Sequence, residues 1–249
     1  IGTLNIGTYR HKEEEILQIM KRRKLDILGL GETKLRGEIV GKDIGDGFTL
    51  ISRGVKEGRL HARVAIIVGP RLKDNIQNIT ITNERIVSVQ IKVKDNVYGF
   101  TQIYAPQQGR SEEEKDSFYA QLETAISQLP SMTAHIVIGD FNGRVGRNRS
   151  GIESTLGPFG EETQNEEGER LIDFCLRNSL AIMNGFFRHQ YSHTMTRYRW
   201  NKNIGQYDHV SIIDYILSSD KRIINDVKVM PGESLDSDHR LLIADLNTK

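Results

Sequence analysis

Cysteine is almost absent from this sequence. Cys175 stands alone among 249 residues, which excludes an internal disulfide and any cysteine cluster for zinc or an iron–sulfur centre, and points to a reducing compartment. Proline is also scarce, at 5 residues against 23 glycines, and no collagen-like or proline-rich pattern runs through the chain. No apolar stretch approaches the roughly 18 residues of a membrane span, so no membrane role is expected. An excess of one charge is missing too: 34 Lys and Arg balance 33 Asp and Glu, for a net charge of +1. Any attraction to nucleic acid must then come from where the charges sit. With 37% hydrophobic and 27% charged residues, the chain is neither disordered nor stapled. At this length a folded domain hides about 70–75% of its unfolded surface, enough for a sizeable core. The chain opens on Ile1 with no initiator Met and no secretory leader, as expected of a domain cut from something larger.

What is present is a series of strand-sized apolar runs rich in β-branched residues: Leu25–Leu30, Val64–Val68, Ile86–Val93, Tyr98–Tyr104, His135–Ile138, Leu180–Met183, Ile212–Leu217, Val227–Met230 and Leu241–Leu246. Helical periodicity appears in Glu13–Arg23, in Ser111–Leu129 behind a Ser-Glu-Glu-Glu start, and in Glu167–Asn178. The order is not a regular βαβ repeat. Asp74–Tyr104 reads as consecutive strands joined by short polar turns, which demands antiparallel pairing. The pattern predicts one domain over residues 1–249, an α/β fold in which two mixed, largely antiparallel sheets pack face to face with helices outside. Gly139–Gly168 and Asn201–Gln206 read as surface loops.

The chemistry concentrates at strand ends. In Ile136-Val-Ile-Gly-Asp140-Phe-Asn142 an apolar strand delivers an acid and an amide two residues apart, a spacing that shares one side of a strand. A turn that needs these residues for its backbone explains the same stretch, so it does not decide alone. Glu32 closes the run that starts at Asp26, Asn5 sits inside the first strand, and Asp214 lies in an otherwise apolar strand where an unpaired charge is costly. Ser237-Asp238-His239 sets an acid beside an imidazole, a common catalytic unit.

Taken in order, Asn5, Glu32, Tyr104-Ala-Pro106, Gly139-Asp140-Phe-Asn142, Ile213-Asp214-Tyr215 and Ser237-Asp238-His239 resemble the exonuclease/endonuclease/phosphatase superfamily that includes exonuclease III, AP endonucleases and DNase I. Within it, the opening residues, the run from Asp26 to Lys34 and the block Asn165–Cys175 look most like the AP-endonuclease-like domain of non-LTR retrotransposons of the RTE type, and of host proteins derived from them such as the craniofacial development protein 2 group. The resemblance implies a DNase I-like four-layered α/β sandwich and a hydrolase of phosphodiester bonds. It implies that Glu32 binds Mg2+, or Mn2+ in its place, with Asn5 and Asp238 near it. Asp140 would orient or deprotonate the attacking water, Asn142 would fix a phosphate oxygen, Tyr104 would contact the phosphate or leaving group, and His239, held by Asp214, would stabilise phosphoryl charge. The expected activity is nicking of double-stranded DNA to leave a 3′-hydroxyl, by a nuclear and monomeric domain whose parent chain could carry a reverse transcriptase.

Three departures bear on this. Gly7 stands where AP endonucleases commonly have Asp, Gln107 where they have Asn, and Ile212 where Arg is often found, which favours a nickase of ordinary or structurally marked DNA over an abasic-site repair enzyme. The remaining alternatives are a phosphatase or deadenylase of the same superfamily and a catalytically silent binding domain. Arg144, Arg147 and Arg149 follow the Asp140 mouth and either grip DNA phosphates or balance the acids after them. In His193–Trp200, Tyr198 and Trp200 are expected in the core, with Arg197 and Arg199 solvated or facing DNA. Asn201–Gln206 is either a groove-reading hairpin, by analogy with such endonucleases, or a plain connector. Asn165 is either a helix cap or a support of the site, and Cys175 a packed thiol.

Overall fold

The apolar runs become strands of two stacked sheets. The computed structural model describes residues 1–53, 63–128 and 134–247. Among the described residues the order is β1 (Gly2–Asn5), α1 (Glu13–Arg23), β2 (Ile27–Gly31), β3 (Glu38–Asp43), β4 (Thr49–Arg53), β5 (Ala65–Val68), β6 (Ile76–Asn83), β7 (Ile86–Val93), β8 (Asn96–Tyr104), α2 (Glu112–Ser127), β9 (Ala134–Asp140), α3 (Glu166–Arg177), β10 (Ala181–Ile182), β11 (Arg197–Asn201), β12 (Gln206–Ser211), β13 (Asp214–Ser218), β14 (Ile224–Met230) and β15 (Leu241–Leu246). One sheet runs β14-β15-β1-β2-β5-β4-β3, the second β10-β13-β9-β8-β7-β6, and β11 pairs with β12 as a separate hairpin. Only β1/β2 and β8/β9 are parallel among these pairs. Among the described residues no helix is long and apolar enough to cross a membrane.

Side-chain alternation sorts each strand into an inner and an outer face. Ile27, Ile51, Ile66 and Val68 of the first sheet meet Val87, Val89, Phe100, Ile136, Ile138 and Ile216 of the second in the layer between them. Leu28, Leu30 and Ile67 point outward to Ile16, Leu17 and Met20 of α1. Ile103, Val137 and Leu217 point outward to Phe118 and Leu122 of α2 and to Leu171 and Phe174 of α3. Four layers result. Each such side chain, fully buried, contributes about 1.5–3 kcal/mol of transfer free energy. The helices are closed by local chemistry: Ser111 Oγ accepts from Glu114 N to start α2, Asn165 Oδ1 accepts from Gly168 N to start α3, and Lys24 in the left-handed region ends α1. Asn165 is therefore a cap, and its Oδ1 also accepts from Arg144 N at 2.8 Å.

The sheets approach closely near the middle of β2. A Cβ on Gly29 would lie 1.8 Å from Gln102 Oε1, the atom that accepts from Thr3 Oγ1 at 3.0 Å. Glycine is required there so that the first sheet can sit on a polar residue of the second.

Strand β3 has no counterpart in the sequence reading, and one expectation needs correction. Glu38–Asp43 carries no hydrophobic alternation, because β3 is an edge strand whose residues are almost all exposed to water. Gly139–Gly168 is not a loose surface loop: Phe141, Val145 and Leu156 are buried, and Val145 bridges to Gln164. The Tyr215 hydroxyl draws it in, accepting from Val145 N and sharing its one proton between Ile212 O at 2.7 Å and Gly143 O at 3.0 Å.

The segment between β14 and β15 is tied to α1. Glu233, 6% exposed at its side chain, accepts from Arg22 at 2.7 and 3.1 Å and from Arg23 at 2.9 Å. Burial works against its charge, but the two guanidinium groups outweigh it and hold the carboxyl below its ordinary value. A depressed folded value means that the contribution is present above the unfolded pKa and lost as pH falls through the folded one. Glu233→Gln is expected to cost about 1–2 kcal/mol at pH 7 in denaturant unfolding. The difference from the unaltered protein should start to shrink near the ordinary glutamate value of about 4.3 and vanish only below the depressed folded value; a gap that does not change through the acid range would mean that the charge is not the source.

Candidate active site

Strand direction and alternation together assemble the polar cluster. The parallel pairs β1/β2 and β8/β9 end at one edge of the sandwich, and the antiparallel β13 and β15 begin there. Asn5 shares the inner face of β1 with Thr3, Tyr104 that of β8 with Phe100 and Gln102, Asp140 that of β9 with Ile136 and Ile138, and Asp214 that of β13 with Ile216. The register aligns Tyr104 with Asp140 and Asp140 with Asp214. The cluster is therefore the polar end of the layer between the sheets.

Asn5 links the two sheets. Its Nδ2 donates to Glu32 Oε1 at 3.0 Å and to Asp140 Oδ2 at 3.1 Å, while its Oδ1 accepts from Gly7 N at 3.2 Å. Gly7 adopts a φ of 63°, a conformation that side chains disfavour, so the glycine here serves the turn that orients Asn5. Tyr104 donates its hydroxyl to Glu32 Oε1 at 2.8 Å and accepts from Gln107 Nε2 at 2.8 Å. His239 Nδ1 lies 2.9 Å from Asp214 Oδ2, and its Nε2 lies 3.7 Å from Asp140 Oδ2 and 3.8 Å from Asp238 Oδ1. Asp140, Asp214 and His239 are 3%, 1% and 4% exposed.

Asp140 closes β9, and Gly139 makes that ending possible. At its φ of 143° a Cβ would lie 2.1 Å from Ile103 O. The strand stops at Asp140, so Asn142 does not share its face as the spacing predicts. Asn142 turns back with a φ of 52°, its N–H donating to Asp140 Oδ1 at 2.9 Å and its Nδ2 to Ala105 O at 2.9 Å. Glu32 has a φ of 52° as well, so two of the polar side chains are presented from left-handed backbone just past a strand.

Burial drives the Asp140 carboxyl up and the charge of Asp214 adds to it, while His239, Asn5 and the Asn142 N–H pull back, leaving it raised to about 7. Burial also penalises a charged His239, but Asp214 and Asp140 outweigh that penalty and raise the imidazole to about 9. The raised value favours the protonated ring, with Nδ1 against Asp214 at 2.9 Å and Nε2 turned toward Asp140 and Asp238 at 3.7 and 3.8 Å. For Tyr104, burial and then the charges of Asp140 and Glu32 push the phenol far up, so it stays a neutral donor. Burial opposes ionisation of Asp238, yet His239 and Arg197 hold it below the usual carboxylate range.

The donor set suits a hard divalent cation on the Glu32 side. Asp140, Asp214 and His239 also bring ligand atoms within 4.8 Å of one another. There, however, Asp214 and the imidazole are committed to each other, and a protonated His cannot ligate a metal. Glu32 takes both its hydrogen bonds on Oε1, leaving Oε2 without one among the described residues. The Glu32 carboxylate with retained waters matches the way Mg2+ is usually held, while Asn5 turns its Nδ2 to Glu32 and Asp140 and its Oδ1 to Gly7 N. Asp238 faces His239 Nε2 through Oδ1 at 3.8 Å, and its Oδ2 accepts from Arg197 Nε at 2.8 Å.

The arginines expected near DNA are engaged within the chain. Arg144 pairs with Glu161, Arg147 with Glu162, Arg197 with Asp238 and Arg199 with Asp208. Arg149 is half-buried. In the hairpin, Trp200 is 52% exposed and packs edge-on against Tyr207 at 5.1 Å, contrary to the core position expected of it. Tyr198 is half-buried. The reason is that β11 and β12 form their own two-stranded ribbon with only part of one face against the body. Its base is joined to the site by an isolated bridge between Arg197 and His239.

Two residues at the site carry no sequence signal as strong as the acids. Gln107 reads only as a departure from a pattern. Thr196 reads as one of several alternating polar residues, yet it is fully buried and its Oγ1 accepts from Ile213 N at 3.1 Å and Asp214 N at 3.2 Å.

A family model described as an endonuclease-reverse transcriptase matches residues 98–243. Craniofacial development protein 2 of Bos taurus is 34% identical over 252 aligned residues, which cover 100% of this chain and 41% of that protein. The chain thus spans about two fifths of the length of this curated relative. Among solved structures, the endonuclease domain of TRAS1, a telomere-specific non-LTR retrotransposon, superposes with a TM-score of 0.69 at 17% identity, covering 100% of this chain and 98% of that one. A 3′-5′ exonuclease (NExo) from Neisseria meningitidis gives 0.71 at 17% identity, covering 99% and 98%. At such identities the likeness is one of fold, and the fold is that of the DNase I-like sandwich.

Thr196→Val keeps the shape of the buried threonine but strips the acceptor from two buried N–H groups. Each unpaired group costs about 1–3 kcal/mol, so thermal unfolding should show a loss of about 2–4 kcal/mol, whereas Thr196→Ser should stay within about 1 kcal/mol of the unaltered protein. Equal stability of the valine and serine variants would show that Thr196 does not anchor Asp214.

Proposed function

Because this chain belongs to the endonuclease-reverse transcriptase family, within the superfamily of exonucleases, endonucleases and phosphatases, we propose that it is a divalent-cation-dependent DNA endonuclease that nicks a phosphodiester bond to leave a 3′-hydroxyl and a 5′-phosphate. The observation that carries this reading is the buried cluster in which His239 lies 2.9 Å from Asp214 through Nδ1 and 3.7 Å from Asp140 through Nε2. A carboxylate raised to about 7 is matched to accepting a proton from water near neutral pH. An imidazolium held by Asp214 is matched to stabilising negative charge beside it.

In this scheme Asp140 takes a proton from the attacking water, whose oxygen forms the new bond to phosphorus. His239 presents Nε2–H to a non-bridging oxygen as charge gathers there, and Asp214 keeps the ring oriented. The bond from phosphorus to the 3′-oxygen breaks, and that oxygen leaves protonated from solvent. Glu32 would hold the Mg2+ or Mn2+, which would supply Lewis-acid charge to the phosphoryl oxygens. Tyr104 remains a neutral hydrogen-bond donor beside it, and the second N–H of the Asn142 amide is available to a phosphate oxygen. Double-stranded DNA is the proposed substrate, and Arg144, Arg147, Arg149, Arg197 and Arg199 are the proposed backbone contacts. The acidic partners of Arg144, Arg147, Arg197 and Arg199 hold them in place until phosphates replace those acids, so binding should weaken steeply with salt. Gly7 in place of an acid removes one charge from the mouth and favours intact over abasic duplex.

Nicking of supercoiled plasmid should require Mg2+ or Mn2+ and stop with EDTA. His239→Ala and Asp140→Ala should each lower the rate by at least about a hundredfold. With pH, the rate should rise as Asp140 loses its proton, at or below about pH 7, and fall above about pH 9 as His239 loses its own. Nicking that survives in both variants would identify a contaminant. No nicking by the unaltered protein, with hydrolysis of a phosphomonoester in its place, would assign it to the phosphatases.

A further inference from the structure

A hydrogen-bonded line runs from the surface into the site through five side chains. Gln107 lies three residues past the end of β8, after Pro106. Its carbonyl accepts from Arg110 N at 3.1 Å, and Gly109, with a φ of 86°, lets the chain reverse toward the Ser111 cap of α2. The backbone that carries the Gln107 side chain is therefore held on both sides. Gln107 Nε2 donates to the Tyr104 hydroxyl at 2.8 Å, and that hydroxyl donates to Glu32 Oε1 at 2.8 Å. Asn5 Nδ2 adds a second donor to the same oxygen at 3.0 Å and continues to Asp140.

The direction of each bond follows from what the groups can do. A phenol has one proton and two lone pairs, while an amide NH2 only donates. The contact from Gln107 occupies a lone pair of the Tyr104 oxygen and commits the phenol's proton to Glu32. Glu32 is then anchored by two donors on Oε1, and Oε2 takes no hydrogen bond from the described residues.

We propose that Gln107 is a positioning residue which, through the Tyr104 hydroxyl, holds Glu32 with one carboxylate oxygen presented to the divalent cation; the proposal rests on the nuclease reading above. Its side chain is one methylene longer than the Asn common at this place in AP endonucleases, and here that length is used to reach the phenol. Gln107 is exposed, so water can replace it in part. Its effect should be smaller than the ten- to hundredfold typical of groups that touch a metal ligand directly.

The test is Mn2+ binding by titration calorimetry, without DNA, to the unaltered protein, Gln107→Met, Tyr104→Phe and the double variant. Methionine keeps the length and removes the donor. Gln107→Met should weaken Mn2+ binding about three- to tenfold with a melting midpoint within about 2 °C of the unaltered protein. Tyr104→Phe should weaken it at least as much, and the double variant should bind no more weakly than Tyr104→Phe alone, since Gln107 acts only through the phenol. Binding by Gln107→Met within about twofold of the unaltered protein would overturn the proposal, as would an equal loss in the Tyr104→Phe background. If the unaltered protein binds Mn2+ and nicks DNA while Gln107→Met is unchanged, the positioning role alone falls; if it binds no Mn2+, the nuclease reading falls with it.

Discussion

One amide joins the two halves of this molecule where it matters. Asn5 Nδ2 donates at once to Glu32 of the first sheet and to Asp140 of the second. Two carboxylates that face each other across a sandwich repel, and burial deepens the penalty. The shared amide, the Tyr104 hydroxyl and the charged His239 are what allow these acids to remain close. Every other constraint can be traced to keeping this bridge short. Gly29 lets the sheets approach, Gly139 lets β9 end against Ile103 O, and Gly7 turns the chain so that Asn5 keeps its orientation.

The charge economy of the chain follows from the same cluster. Near-equal numbers of acids and bases conceal two unlike populations. Four acids lie at one strand edge, two of them almost wholly buried, while several arginines are neutralised locally by Glu161, Glu162, Asp208 and Asp238. The loop bearing Asp238 and His239 is tied back to α1 at both ends of that helix, through Arg22 and Arg23 to Glu233 and through Lys12 to Leu235 O. Positions far from the cluster in sequence thus decide where the imidazole stands.

Much of the fold was legible from periodicity. Glu13–Arg23, Ile86–Val93 and Leu241–Leu246 coincide with α1, β7 and β15 because each presents a clear apolar face to a core layer. Glu38–Asp43 was not legible, since an edge strand covered by water has no such face. Trp200 was misplaced because alternation tells which residues share a side, and not whether that side is covered. The polar residues of the site were visible as acids and amides at the ends of apolar runs. Thr196 was not, since its role depends on two N–H groups from a strand that follows a hairpin.

The sequence by itself determined the helices and the strands with an apolar face, the residue types gathered at strand ends, and the family, because hydrophobic period and motif order are properties of the chain alone. Only the tertiary structure decided which sheet each strand joined, that Asp140 and Asp214 would lie side by side, and that His239 would carry the charge between them. Those outcomes depend on register and burial, which exist only after distant segments have packed and water has been excluded. The lone Cys175 illustrates both: its solitude excluded whole classes of chemistry at the outset, and its burial against α2 and the second sheet makes it an ordinary part of the core.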